Sequence, residues 1–131
     1  MSYNIKALKQ YNSVDVRSAV DSASPHKLII MLFDGAMTAV TRAKGLIERK
    51  DMAGKGQQIQ KASEIIIGLK GSLDLEQGGE VAANLDGLYD YILRRLIEAN
   101  RNVDVAPLNE VSALLTEIKG GWEAMPAEFK K

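Results

Sequence analysis

The sequence predicts an all-α protein, an antiparallel up-down four-helix bundle preceded by an N-terminal capping segment. Three observations lead there. Apolar residues recur at steps of three and four along most of the chain, the mark of a helix with one buried stripe. Aromatic residues make up only 5% and there are only three prolines, a balance that favours helix over strand. Residues that start or break helices divide the periodic stretches into four, and every connection between them is short enough to leave antiparallel neighbours as the simplest arrangement.

The first helix is expected from about Pro25 to Arg49. Ser24 can accept an orphan amide hydrogen, and Pro25 tolerates the first helical position. Its stripe reads Leu28, Leu32, Ala36, Ala39, Ala43 and Leu46. Asp51 can cap a second helix, weakened early by Gly54 and Gly56, whose stripe is Ile59, Ala62, Ile66, Leu69 and Leu73. Gly78 and Gly79 supply the next break, since glycine accepts the left-handed geometry at helix ends. The third helix carries Val81, Leu85, Leu88, Ile92, Leu96 and Ala99 to about Asn102. Asp104 or a neighbour caps the last, with Pro107 in its first turn and Leu108, Val111, Leu115, Ile118 and Trp122 as its stripe. The chain thus divides into residues 24–131 as the bundle and residues 1–23 as a segment that folds onto it, too apolar to be an inert tail.

Composition narrows the function. At 131 residues and 46% hydrophobic content the chain is one domain with a real core. Seventeen basic residues balance seventeen acidic ones, so the positive field that draws proteins to phosphate backbones is missing and nucleic acid is not expected as a partner. The lack of cysteine fits a reducing compartment. No apolar run reaches the roughly 18 residues of a membrane span, and the start, MSYNIKALKQYNS, has no signal-peptide core. A soluble cytoplasmic protein without membrane insertion is expected.

Catalysis finds no footing. A di-iron bundle needs glutamates and Glu-x-x-His pairs, yet His26 is the one histidine, and it reads as a satisfied surface residue in the first turn of its helix. No phosphate loop or nucleophile elbow surrounds the glycines or serines. The expectation is no catalytic residue, no metal and no cofactor. Asp90, Arg94 and Glu98, spaced by four, suggest a ladder of exposed ion pairs. Tyr89 and Tyr91 point to different sides of the third helix, so at least one leaves the stripe, either to meet a partner or to close a core edge.

What stands out is apolar surface beyond the needs of the core. Ile29, Ile30 and Phe33, Ile65 and Ile67, Leu93 and Ile97, and Leu114 add to the four stripes. Such an excess marks either a groove for an amphipathic segment or a face through which two copies pair as a homodimer.

Four stretches carry a family resemblance: SASPHKLIIMLFDGA (Ser22 to Ala36), KASEII (Lys61 to Ile66), LDLEQGGEVAANLDGLYDYILRRLIEAN (Leu73 to Asn100) and LNEVSALLTEIKGGW (Leu108 to Trp122). In order and spacing they resemble the FliS family of flagellar secretion chaperones, which bind flagellin. The resemblance implies an antiparallel helical bundle, no enzymatic activity, and a partner: the C-terminal segment of flagellin, disordered in the monomer. It also places the family's N-terminal apolar and tyrosine pair on Leu8 and Tyr11, with Ile5 a further apolar residue three before. That segment would cover the apolar surface when flagellin is absent and contribute to docking at an export gate component when it is present. The residues expected to meet partners are Ile5, Leu8, Tyr11, Ile30, Phe33, Ile65, Tyr89, Tyr91, Leu93, Ile97 and Leu114.

Overall fold

A computed structural model describes residues 24–124. Among these residues lie four helices, α1 (Pro25–Glu48), α2 (Met52–Gly71), α3 (Gly79–Asn102) and α4 (Val105–Glu123). The starts follow the sequence. Ser24 Oγ accepts from the Lys27 amide at 3.2 Å, Asp51 Oδ1 from the Gly54 amide at 2.9 Å and Asp104 Oδ1 from the Ala106 amide at 3.0 Å. Each relieves one of the orphan donors at a helix start.

The α2–α3 break differs from expectation. α2 stops at Gly71, before Leu73, and the left-handed glycine sits at the start of α3 rather than the end of α2 (Gly79, φ 55°). Gly78 is required for a different reason: its amide donates to the Asp74 carbonyl at 2.7 Å, and a Cβ there would lie 2.5 Å from that of Ala82. The turn between α3 and α4 uses Val103 in the left-handed region (φ 50°), a conformation that costs a β-branched residue of order 1 kcal/mol or more.

Around the bundle α1 packs on α2 and α4, and α3 completes the ring between α2 and α4. Cross-helix contacts fix the directions. From α1 to α4 they join His26 to Trp122, Asp34 to Lys119 and Lys44 to Asn109. From α2 to α3 they join Lys55 to Asn100 and Lys70 to Asp86. In both sets the numbers run oppositely, so these neighbours are antiparallel.

Side-chain size varies along the bundle. Phe33, Ile65, Leu69 and Tyr89 fill the end where α1 and α3 begin, whereas Ala39, Ala43, Ala62 and Ala99 are buried toward the other end. Helix separation follows the side chains between the axes, which opens space at the bulky end. On α3 the buried row is Ala82, Tyr89, Ile92, Leu96 and Ala99. Val81, expected in the stripe, is 70% exposed because the buried row runs through its neighbour Ala82 instead, while Leu85 and Leu88 are partly buried.

Candidate partner-binding surface

The sequence-derived residues separate into distinct places. Phe33, Ile65 and Tyr89 are core residues, with 1%, 0% and 3% exposure. The question of the two tyrosines is thereby decided: Tyr89 closes the core, and burial pushes its phenol up to about 12. Tyr91 leaves it toward α4. Its hydroxyl donates to Glu110 Oε1 at 2.8 Å, and Arg95 Nε donates to the same oxygen at 2.6 Å. The bond from Tyr91, followed by that from Arg95, holds the Glu110 carboxyl below the usual carboxylate range. Leu114, four residues after Glu110 and partly buried, shares this α3/α4 flank. Ile30 lies four after His26 and four before Asp34, both of which reach α4, so it belongs to the α1/α4 flank. Ile5, Leu8 and Tyr11 lie outside the described residues.

Leu93 and Ile97 define a third place. Lys70 on α2 pairs with Asp86 at 3.0 Å and Asp90 at 3.7 Å, which identifies the side of α3 that fronts α2. Leu93 and Ile97 continue that row in steps of three and four. Ile67 stands one turn before Lys70 on α2. Leu93 is partly buried, but Ile67 and Ile97 are 52% and 60% exposed. The α2/α3 flank is therefore an apolar strip with a charged edge.

The expected Asp90–Arg94–Glu98 ladder is replaced by other partners, one on α2 and two within α3. Asp90 meets Lys70, Glu98 meets Arg95, and the Arg94 guanidinium lies 5.9 Å from the centre of the Tyr91 ring. Only Asp90 finds its partner on a neighbouring helix, and Glu98 takes Arg95, three residues before it, in place of Arg94.

At the bulky end is an apolar cleft of about 210 Å³. Ile29 and Phe33 of α1, Leu69 of α2, Leu85 and Tyr89 of α3 and Trp122 of α4 form its walls, with Leu73, Asp74 and Gly78 from the 72–78 loop at its edge. His26 and Trp122 close the seam behind it. The His26 ring, expected at the surface, is 7% exposed and stacked on the Trp122 ring at 5.2 Å. No local pattern signals this contact, because the two residues are 96 apart. Lys55 was also missed. It is 6% exposed and donates from Nζ to the Asn100 carbonyl at 2.9 Å, placing a cation at the C-terminal end of α3, where the helix dipole favours one. No helix among the described residues is long and apolar enough to cross a membrane.

The described residues form an all-helical bundle with spare apolar surface, and the sequence comparison identifies its family. Residues 7–128 match the family described as Flagellar protein FliS. The chain belongs to the FliS family. It is similar to the Flagellar secretion chaperone FliSB of Pseudomonas aeruginosa, with 47% identity over 94% of this chain and 98% of the relative. It is also similar to the Flagellar secretion chaperone FliS of Salmonella typhimurium, with 49% identity over 92% of this chain and 90% of the relative. A solved structure described as a flagellar chaperone from bacteria superposes with a TM-score of 0.71 at 18% identity, covering 92% of this chain and 94% of that one, and supports the fold. FliS proteins are chaperones rather than enzymes, so this chain is a flagellar secretion chaperone and its apolar surfaces are the candidates for holding an export substrate.

Proposed function

We propose that this FliS protein binds the disordered C-terminal segment of flagellin in an apolar groove along the α2/α3 flank. It thereby prevents premature polymerisation in the cytoplasm and aids delivery to the flagellar type III export gate. The observation that carries the site is the strip of Ile67 and Ile97, each more than half exposed, beside the partly buried Leu93.

The energetics require an extended footprint. Ordering a disordered segment costs about 2 to 5 kcal/mol of the gross interaction. At about 25 cal/mol per Å², some 100 to 200 Å² of apolar burial offsets only that term, and the loss of translational freedom comes on top. An amphipathic helix with anchors at steps of three and four meets the demand, because its spacing matches the row of Leu93 and Ile97. Glu64, Lys70, Asp86 and Asp90 at the edges would then orient the client rather than hold it.

Family membership supports a role for residues 1–23 as a cap whose Leu8 and Tyr11 cover apolar surface until the client arrives and afterwards face the export gate. A client that must displace a cap binds with an apparent affinity lowered by the closed fraction. Calorimetric titration of a flagellin C-terminal peptide into the full chain tests the site. Ile97→Asp should abolish binding, and unchanged affinity in that variant would rule the α2/α3 flank out. Tyr11→Ala should bind the peptide at least as tightly while secreting less flagellin. A tenfold loss of affinity, about 1.4 kcal/mol, would place Tyr11 in the groove itself. If the strip instead joins two copies, sedimentation will show a dimer that the peptide leaves intact.

A further inference from the structure

The cleft at the bulky end is a second apolar surface, separate from the α2/α3 flank: Ile67, Leu93 and Ile97 are not among its walls. It holds about 210 Å³ between Ile29, Phe33, Leu69, Leu85, Ile118 and Trp122. A dry apolar cavity of roughly 150 Å³ accepts a benzene molecule, so one phenyl ring or branched aliphatic side chain fits. Apolar surface continues at the mouth, where Val81 lines the cleft at 70% exposure and Leu75, next to Asp74, is 53% exposed.

The rim is tied in place and negatively charged. Asp74 lines the cleft; its Oδ1 accepts from the Gln77 amide at 2.9 Å and its carbonyl from the Gly78 amide at 2.7 Å, which pins the 72–78 loop. Glu76 on that loop and Glu80 in the first turn of α3 are exposed. None of the described residues lining the cleft is basic, and Lys70, the cation closest to the loop in sequence, is shared by Asp86 and Asp90. An acidic collar opposes pairing of two copies through the cleft, because a two-fold axis would bring Asp74, Glu76 and Glu80 against their own counterparts. It favours a partner that carries positive charge beside a bulky apolar group.

We propose that the cleft is a docking site for a basic segment of a second protein, in which a side chain the size of phenylalanine or leucine enters the cavity while neighbouring lysine or arginine residues meet Asp74, Glu76 and Glu80. The apolar anchor supplies most of the affinity, and the acidic rim selects the partner. The bundle thereby offers two surfaces of different chemistry, and docking at this one does not depend on flagellin binding along the α2/α3 flank.

A blocked synthetic peptide with one phenylalanine flanked by lysines, titrated into the full chain labelled for nuclear magnetic resonance, should shift the methyl signals of Ile29, Leu69 and Leu85 and leave those of Ile67 and Ile97 in place. Trp122 is the one tryptophan in the sequence, and its emission should change with the same midpoint. Glu76→Gln combined with Glu80→Gln should weaken binding about threefold at low salt with the melting temperature kept, and about 0.5 M salt should remove the difference. Replacing the peptide's phenylalanine by alanine should remove binding. Shifts at Ile67 and Ile97 in place of those at the cleft overturn the proposal, as does equal binding of a peptide with glutamates in place of the lysines. Unchanged methyl signals and emission at millimolar peptide refute it too. So does a full chain that sediments as a dimer and is dissociated by the peptide, which would give the cleft to a second copy.

Discussion

His26 and Trp122 hold each other by two reciprocal hydrogen bonds. His26 Nε2 donates to the Trp122 carbonyl at 2.9 Å, Trp122 Nε1 donates to the His26 carbonyl at 3.1 Å, and the rings stack within 11° of parallel. A carbonyl only accepts, so Nε2 of His26 is the donor in this bond. The pair fastens the first turn of α1 to the last turn of α4 and holds Trp122 in place as a wall of the cleft. His26→Ala removes one bond and the stack and should lower unfolding free energy by about 2 kcal/mol. Trp122→Phe keeps a ring but loses the indole donor and should cost about 1 kcal/mol more than a surface change. Urea denaturation of both variants checks the order, and equal stability to the parent in His26→Ala would show that the pair does not fasten the helices.

Adjacent residues on α3 should behave oppositely. Leu96 is fully buried and Ile97 is 60% exposed. Leu96→Asp places an unpaired carboxylate in the core and should abolish cooperative unfolding. Ile97→Asp should stay within about 0.5 kcal/mol of the parent, as surface changes do. Thermal melts of the two distinguish core from flank directly.

Lys55 supplies the buried donor to the Asn100 carbonyl. Lys55→Met fills similar space but orphans that oxygen near the end of α3, and should destabilise the protein by about 1 to 3 kcal/mol. A melting temperature at or above that of the parent would mean that water takes over the carbonyl.

Two groups give the stability curve its limbs. The folded pKa of Tyr89 lies at about 12 because of burial, above that of an exposed phenol near 10. The unfolded chain ionises first, so stability should fall between about pH 10 and 12, by about 2 to 3 kcal/mol in all. Tyr89→Phe should remove most of that loss, leaving the part due to Tyr91, whose phenol the bond to Glu110 also raises. Glu110 acts in the other direction. Its carboxyl is held low by the bonds from Tyr91 and Arg95, so its contribution is present above the ordinary carboxylate pKa and disappears as pH falls through the lower folded value. Glu110→Gln should flatten that acid limb in urea melts recorded as a function of pH.

Among the described residues the sequence by itself determined the four helices and the starts of α1, α2 and α4, because capping is local. Ser24, Asp51 and Asp104 satisfy amides two or three residues away, whatever the rest of the chain does. It also determined most of each buried row, since a helical period fixes which residues share a face. The ends were less legible: α2 closes at Gly71, and at the start of α3 Ala82 rather than Val81 takes the buried position. Flank residues were less legible still. Periodicity gives a direction relative to a helix's own axis, but only the approach of a second helix decides whether Phe33 and Ile65 are core, whether Tyr91 meets Glu110, and whether Asp90 pairs with Lys70 rather than Arg94. The contact of His26 with Trp122 lies beyond any local pattern, because it exists only once antiparallel packing of α1 and α4 brings a first turn against a last one.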